Sequence, residues 1–205
     1  MTLPSSSTPA PAVAARPGAI ILTRHGKPAL SRKCLLTAQG YGRWWADYER
    51  LGLFPGQTAP AALSGTAVAA GTLISSSRPR ARESAALAAP GREVLVEPLF
   101  IEAPLPPPPL PEWIRLSPRF WGVVSRFWWH VFNNHGGQET RVEAEARAER
   151  AADRVVTAAE GGRDVVVFAH GYFNHMVGAA LKARGWRLTA NQGFKYWSQR
   201  RFEMV

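Results

Sequence analysis

The sequence predicts a three-layer α/β/α sandwich with a mostly parallel central sheet. Short apolar runs of the kind found in strands buried on both faces alternate with segments whose apolar residues recur at helical spacing. Strands that alternate with helices form parallel sheets whose faces the helices cover. With 205 residues, 46% of them hydrophobic, the chain can bury one sizeable core, so we expect one domain.

The first strand and the first helix follow a polar tail. Residues 1–18 are rich in Pro, Ala and Ser, so we expect a disordered tail ahead of a domain at 19–205. The run AIILTRH, which begins at Ala19, predicts a buried strand. The segment LTAQGYGRWWADYERLG predicts a helix that Thr37 caps and Gly52 stops.

The same alternation continues along the rest of the chain. Apolar runs rich in β-branched residues predict strands, and helical periodicity with proline at a start or glycine at an end predicts helices. The predicted strands lie at 72–77, 93–97 and 164–170, and the predicted helices at 79–89, 139–160 and 172–185. Ligands of such sheets bind outside the carboxyl ends of the strands, where the loops converge.

Polar residues follow several of these strands. Arg24 and His25 end the first strand, a run of serines and Arg80 follow the second, and His170 ends the last. Glu102, shortly after the third strand, is a carboxylate that can join them. Two histidines, two arginines and a carboxylate at the strand ends predict an anion site that contains a nucleophile.

These side chains fit phosphoryl transfer. A guanidinium group matches phosphate oxygens and stays charged at any working pH. A neutral histidine can attack phosphorus, and a carboxylic acid can protonate the leaving oxygen. Gly26 and Gly171, each directly after a histidine, would let the backbone approach a phosphate, with the helix start near Tyr172 pointing its N–H groups there.

The motifs LTRHG, SSSRPRARESAA and FAHGYFN resemble, in this order, the histidine phosphatase superfamily, the phosphoglycerate mutase-like group, over about residues 19–185. The resemblance implies a phosphoglycerate mutase-like fold and a covalent phosphohistidine on His25, with Glu102 as the proton donor. It implies no metal and no organic cofactor. The phosphate-binding residues that it implies are Arg24, Arg80 and His170.

The motif alignment selects Arg80 as the second arginine, and Arg78 and Arg82 are interpreted as rim charges. Two features depart from the family pattern: Glu102 is followed by APLPPPPLP, and Lys27 stands where many relatives carry an acidic or amide residue. The first departure concerns the assignment of the proton donor, and the second concerns the identity of the substrate. Asn174 either steadies the phosphate loop or caps its helix. The candidate pocket residues are Lys27 and Asn174, together with Trp113 and Trp121 of the aromatic-rich segment described next.

Residues 103–138 form an aromatic-rich insertion after the proposed acid. Its first part, from Pro104 to Pro111, has six prolines in eight positions, which favours a stiff extended connection. Four tryptophans follow. Two interpretations stay open: a small satellite core, or a lid over the phosphate pocket whose tryptophans contact the leaving group.

Composition and charge narrow the class of partner. The formal charge of +10 suits anionic ligands, but the arginines are scattered and no zinc-finger or RNA-binding motif occurs, so no nucleic acid is expected. His130, His135 and His175 lack metal-ligand spacing. No apolar run is long enough to span a membrane, and Cys34 has no internal disulfide partner. We expect a cytoplasmic protein.

The sequence thus predicts a phosphomonoester hydrolase that acts on a small phosphorylated substrate without a cofactor. Two alternatives stay open: a phosphoglycerate mutase-like phosphotransferase, and a catalytically silent module that binds a phosphorylated ligand. The sequence specifies neither the substrate nor the oligomeric state.

Overall fold

The structure is a computed structural model that describes residues 16–205. The predicted tail at 1–18 falls mostly on residues 1–15, which lie outside the described residues. At its inner end, Gly18 donates its backbone N–H to the carbonyl of Ala159. The six strands are β1 (Ile20–Arg24), β2 (Thr72–Ser76), β3 (Leu95–Glu97), β4 (Val165–Ala169), β5 (Trp186–Asn191) and β6 (Gln199–Met204).

Six α-helices and one short 3-10 turn connect these strands. The 3-10 turn spans Pro98–Phe100, directly after β3. The helices are α1 (Ala38–Arg50), α2 (Ala61–Ala69), α3 (Pro79–Ala88), α4 (Pro118–Phe132), α5 (Arg141–Ala159) and α6 (Gly171–Ala183). Each strand and helix predicted from the sequence is present, with ends that shift by a few residues. The strands β5 and β6 and the helices α2 and α4 were not predicted.

All six strands belong to one sheet with the order β3-β2-β4-β1-β6-β5. The pairs β2/β3, β2/β4 and β1/β4 are parallel, while β6 runs antiparallel to both β1 and β5. The predicted mostly parallel sheet is confirmed. Because β1 and β4 are parallel neighbours, their carboxyl ends lie side by side.

Each face of the sheet has its own apolar core. Ile20 and Leu22 of β1 point to the face covered by α5 and α6, whereas Ile21 points to the face covered by α2 and α3. Alternate residues of a strand face opposite sides, so a continuous apolar run is what a strand buried on both faces requires. The predicted three-layer sandwich is therefore confirmed.

A third, smaller core joins α1 to α4 beside the sheet. Trp121 of α4 is fully buried there, and its ring stacks on that of Tyr41 with centroids 5.8 Å apart. The indole N–H of Trp121 donates to the carbonyl of Leu36 at 2.7 Å. Part of the 103–138 insertion is thus a satellite core.

The first helix begins as the sequence predicts and ends differently. The Thr37 hydroxyl caps α1 by accepting the N–H of Gly40 at 3.2 Å. At the other end Leu51 already leaves the helix with extended backbone (φ −85°, ψ 147°), so the chain stops before Gly52 and no left-handed glycine is used. Gly185, the predicted end of α6, does adopt a positive φ of 86°.

Candidate active site

The ends of β1 and β4 bring two histidines together. The N–H of His25, just after β1, donates to the carbonyl of Ala169 at 3.0 Å, and His170 is the next residue after β4. The two imidazole rings lie edge to face, with centroids 5.2 Å apart. The parallel pairing of these strands is what places side by side two residues that are 145 positions apart.

The hydrogen bonds of His25 fix its tautomer. Its Nδ1 atom lies 2.7 Å from the carbonyl oxygen of Gly26, which can only accept, so Nδ1 carries the proton. The Nε2 atom receives the Nε–H of Arg80 at 3.3 Å. The lone pair of Nε2 therefore points toward Arg80 and His170, the side chains expected to bind phosphate. This is the position that a nucleophile requires.

Arg80 lies between the two histidines and is fully buried. Besides its contact with His25, its Nη2 atom lies 3.3 Å from Nδ1 of His170. The same guanidinium donates to the carbonyl of Tyr48 at 2.8 Å and to the Glu49 carboxylate at 2.6 Å. These contacts hold the guanidinium group in a single orientation.

The tautomer of His170 is the opposite of that of His25. Because Arg80 can only donate, Nδ1 of His170 accepts and Nε2 carries the proton. That N–H donates to the hydroxyl of Ser76, with Nε2 and Oγ 2.9 Å apart. The serine run at the end of β2 thus orients the second histidine.

Both imidazoles are neutral at physiological pH. Burial lowers the pKa of His25 well below its ordinary value, and the positive charges of Arg80 and Arg24 lower it further. Burial also lowers the pKa of His170, with Arg80 as the next cause. A neutral imidazole has a free lone pair, so the charge of the arginines favours the nucleophilic form of His25.

The loop between β5 and β6 closes one side of this cluster. The Arg24 guanidinium lies over the ring of Tyr196, 4.6 Å from its centroid, and donates to the carbonyl of Phe194. Trp197 packs so tightly on Gly26 that a Cβ there would lie 2.4 Å from the indole. A glycine after His25 is therefore required by the close approach of this loop.

Glu102 reaches the same region from the loop after β3. Its Oε1 accepts the N–H of Ala103 at 3.1 Å and that of Phe173 at 2.8 Å, while Oε2 accepts only the N–H of Tyr172, at 3.3 Å. Two of these donors belong to the first turn of α6, which His170 does not cap with its side chain. Oε2, with the single longer bond, is the less engaged of the two oxygens.

A cavity of about 810 Å³ opens beside these groups. Arg24, Glu102 and Tyr196 line its inner part, and one face of α4 forms a wall. His25 is only 2% exposed, and its ring lies 5.9 Å from that of Tyr196, the side chain between it and the cavity. Reaction at His25 therefore requires this side of the site to open.

The structure brings none of the four predicted pocket residues to the wall of this cavity. Lys27 is exposed and lies over the ring of Phe54, 4.6 Å from its centroid. Trp113 is 81% exposed, and Trp121 is buried in the satellite core. The insertion does supply a cavity wall, but with other faces of α4 than the one that carries Trp121.

Asn174 lies beneath the site rather than on the cavity wall. It is buried in the first turns of α6, and its amide donates to the carbonyl of Thr23 at 3.1 Å. This bond joins α6 to the end of β1. Of the two roles considered for Asn174, bracing the phosphate loop fits this contact, and capping of α6 does not.

Three side chains of the site were not singled out from the sequence. Glu49 pairs with both Arg78 and Arg80 at 2.6 Å, Tyr196 covers His25, and Arg126 lines the cavity from α4. Glu49 and Tyr196 belong to no motif. Arg126 stands seven residues after Arg119 in a helix rich in aromatic residues. This helical spacing is the feature of the sequence that could have identified Arg126.

Two neutral imidazoles and two guanidinium groups at the carboxyl ends of a mostly parallel sheet define an α/β protein suited to bind an oxyanion such as phosphate. Comparison with protein families leads to the same class. Residues 20–198 match the model of the histidine phosphatase superfamily (branch 1). The chain belongs to this superfamily, and the resemblance seen in its motifs is confirmed.

Solved structures with the same fold include several phosphatases. The ecdysone phosphate phosphatase of Bombix mori, in complex with tungstate, is 17% identical, with 92% of each chain covered and a TM-score of 0.54. A mycobacterial glucosyl-3-phosphoglycerate phosphatase in complex with VO3 is 22% identical, with 93% of this chain and 98% of that chain covered and a TM-score of 0.52. No curated protein matches the sequence.

Within residues 16–205, none of the helices has both the length and the hydropathy of a membrane span. The same residues include no group of three or more His, Cys, Asp or Glu side chains placed to hold a metal ion.

Proposed function

We propose that this protein hydrolyses phosphomonoesters through a covalent phosphohistidine on His25. The observation that carries the proposal is the tautomer of His25: its Nδ1 proton is held by the Gly26 carbonyl, which leaves the Nε2 lone pair beside Arg80 and His170. Membership of the histidine phosphatase superfamily supports the same chemistry.

In the first step, Nε2 of His25 gives up the hydrogen bond that it accepts from Arg80, and its lone pair forms a bond to phosphorus while the bond from phosphorus to the leaving oxygen breaks. Glu102 gives its proton to that oxygen, so the alcohol leaves neutral. Arg24, Arg80 and His170 donate hydrogen bonds to the phosphoryl oxygens, where negative charge develops. His170 can do so because its protonated Nε2 can exchange the Ser76 hydroxyl for a phosphoryl oxygen.

In the second step, a water molecule attacks phosphorus and the bond to Nε2 breaks. Glu102, now ionised, takes the proton of the attacking water, which restores the starting enzyme and releases inorganic phosphate. Transfer to a second hydroxyl instead of water would make the protein a phosphotransferase. The release of inorganic phosphate in proportion to the alcohol distinguishes hydrolysis from transfer.

The test measures hydrolysis of 4-nitrophenyl phosphate by the wild type, by His25→Ala and by His175→Ala as a matched control on an exposed histidine. We expect activity that resists chelators, an acid-labile phosphoryl group trapped on the wild type, and loss of both in His25→Ala only. Wild-type turnover without a trapped phosphoryl group, or His25→Ala with turnover near that of the control, would refute the mechanism. A well-folded wild type that releases no phosphate from a broad panel of phosphomonoesters would favour the silent binding module.

A further inference from the structure

The cavity beside the site is lined by more positive charge than one phosphate needs. Of the residues that the structure describes, Glu102 is the only carboxylate that lines it. Among the described residues, none of its cations forms a salt bridge with a carboxylate, whereas Arg147, Arg154 and Arg184 elsewhere in the molecule each do. The cations that line the cavity are Arg24, Arg32, Arg119, Arg126 and Lys195.

Two of these cations stand on one face of α4. Arg119 and Arg126 are seven residues apart, which is two helical turns, or about 10 Å along the axis. Gly122 lies between them and also lines the cavity. A Cβ at this glycine would meet only the Tyr41 hydroxyl, at 3.8 Å, so the space above it is open. The face is a shallow groove with a guanidinium group at each end.

Among the described residues no carboxylate forms a salt bridge with Arg126: burial lowers the pKa of its guanidinium, and the nearby charge of Glu102 only partly offsets this. The guanidinium stacks on the Tyr172 ring, 3.8 Å from the centroid, and its Nη2 donates to the carbonyl of Ala103 at 3.2 Å. Its Nη1 atom has no hydrogen-bond partner among the described residues. A partly buried cation that lacks a partner is costly, so a ligand that supplies one gains more than it would in water.

We propose that Arg119 and Arg126 form a second anion-binding subsite, so that the substrate is a phosphomonoester with a second anionic group. This inference rests on the proposed function for the phosphate end of the substrate. There, Arg24 and Arg80 donate to the phosphoryl oxygens, and the charge of Arg80 is already balanced in part by Glu49. The second group, a carboxylate or another phosphate, is the counter-charge that the α4 groove lacks.

The walls between the two ends indicate what joins the two anionic groups. The side chains of Trp45, Phe127 and Tyr196 line the cavity, and Tyr196 is the ring next to His25. Flat apolar walls favour a ring system over a flexible polyol. The structure thus assigns the substrate to the aryl or heterocyclic phosphomonoesters that carry a distal acid.

The test compares matched pairs of substrates that differ only in the distal group. Phenyl and naphthyl phosphates are prepared with a distal carboxylate, a distal phosphonate, or a neutral carboxamide of the same shape. The wild type should prefer the anionic member in kcat/KM by about tenfold to a hundredfold, the span expected for one charged hydrogen bond. Whether the carboxylate or the phosphonate is favoured more identifies the kind of acid.

The variants are Arg119→Gln, Arg126→Gln and Arg126→Lys, with Arg115→Gln as a control on an exposed arginine outside the cavity. The ratio of anionic to neutral substrate should fall toward one in both glutamine variants, recover in part in Arg126→Lys, and stay at the wild-type value in Arg115→Gln. Arg119 is exposed, so misfolding cannot explain a lower ratio in Arg119→Gln. Gly122→Leu, which fills the groove, should penalise the naphthyl substrates more than the phenyl substrates.

A binding measurement separates this inference from the proposed function. Titration calorimetry with the corresponding non-hydrolysable naphthylmethylphosphonates reports the same preference for the distal acid without any turnover. If the wild type hydrolyses the neutral substrates but shows no preference in either assay, the subsite does not exist while the hydrolase proposal stands. If the preference in binding is present without turnover, the subsite stands and the hydrolase proposal fails.

Discussion

At the scale of single residues, the site depends on which hydrogen-bond role each group can take. Arg80 can only donate, and this fact fixes the lone pairs of both His25 and His170. The motif alignment selected Arg80 over its neighbours Arg78 and Arg82, and the structure brings Arg80 alone into contact with both rings. Arg78 instead pairs with Glu49.

Glu102 serves both α6 and, in the proposed mechanism, the chemistry, and two substitutions separate these roles. Glu102→Gln keeps one oxygen for the N–H of Phe173, loses the acceptor for that of Tyr172 and has no proton to give, so we expect a rate loss of about 10²–10⁴ with a small loss of stability. Glu102→Ala should lose in addition about 1 kcal/mol of helix capping. Rates and urea unfolding of both variants provide the measurement.

The leaving group supplies the control for this prediction. An alcohol of low pKa, such as 4-nitrophenol, needs less help from an acid than a simple alkyl alcohol, so the loss in Glu102→Gln should be smaller for 4-nitrophenyl phosphate. An equal loss for both kinds of substrate would show that Glu102 acts through the position of α6 and gives no proton.

At the scale of secondary structure elements, the helix α4 has two distinct faces. One face carries Trp121 into the satellite core, and the other carries Arg119 and Arg126 along the cavity. The prediction from the sequence that tryptophans of the insertion line the pocket is wrong for Trp113 and Trp121. A large aromatic residue in the sequence can indicate either a core position or a binding surface. Its role here depends on whether it lies on the side of α4 that packs against α1.

Truncation of Trp121 should therefore change the free energy of unfolding much more than truncation of Trp113. Trp121→Ala removes a fully buried indole and its hydrogen bond to Leu36, so we expect a loss of about 3–5 kcal/mol in the free energy of unfolding. Trp113→Ala, at a position that is 81% exposed, should change that free energy by less than about 0.5 kcal/mol. Chemical denaturation of the two variants tests this contrast, and equal losses would contradict it.

The two strands that the sequence did not predict share a physical reason. The strands β5 and β6 lie at one edge of the sheet, and both contain charged or polar residues on their exposed sides. Buried parallel strands such as β4 are apolar throughout and are easily found. An edge hairpin leaves weaker periodicity, so the Tyr196 loop that it carries was not foreseen.

At the scale of the whole molecule, the two neutral histidines link stability to pH. Their pKa values are lowered on folding, so the unfolded chain binds more protons once the pH falls below about 6.5. The contribution is fully present above the unfolded pKa and is lost as the pH falls toward the folded pKa. We expect the free energy of unfolding to decrease by roughly 1 kcal/mol per pH unit for each histidine below pH 6.5.

Urea unfolding at several pH values between 5 and 8 measures this decrease. Replacement of His170 by Asn removes one titrating group, so the slope below pH 6.5 should fall to about half of the wild-type slope. A wild-type free energy of unfolding that does not change across this range would contradict the neutral state of the two imidazoles.

The strand order also determines how the sheet can assemble during folding. Ile20 of β1 pairs with Val165 on one side and with Phe202 on the other. Both strands that pair with β1 therefore come from the last part of the sequence. Contacts between residues so distant in sequence slow folding, because a long loop must close before they form. Until then both edges of an apolar strand are open to other chains. We therefore expect the yield of refolding to fall as the protein concentration rises.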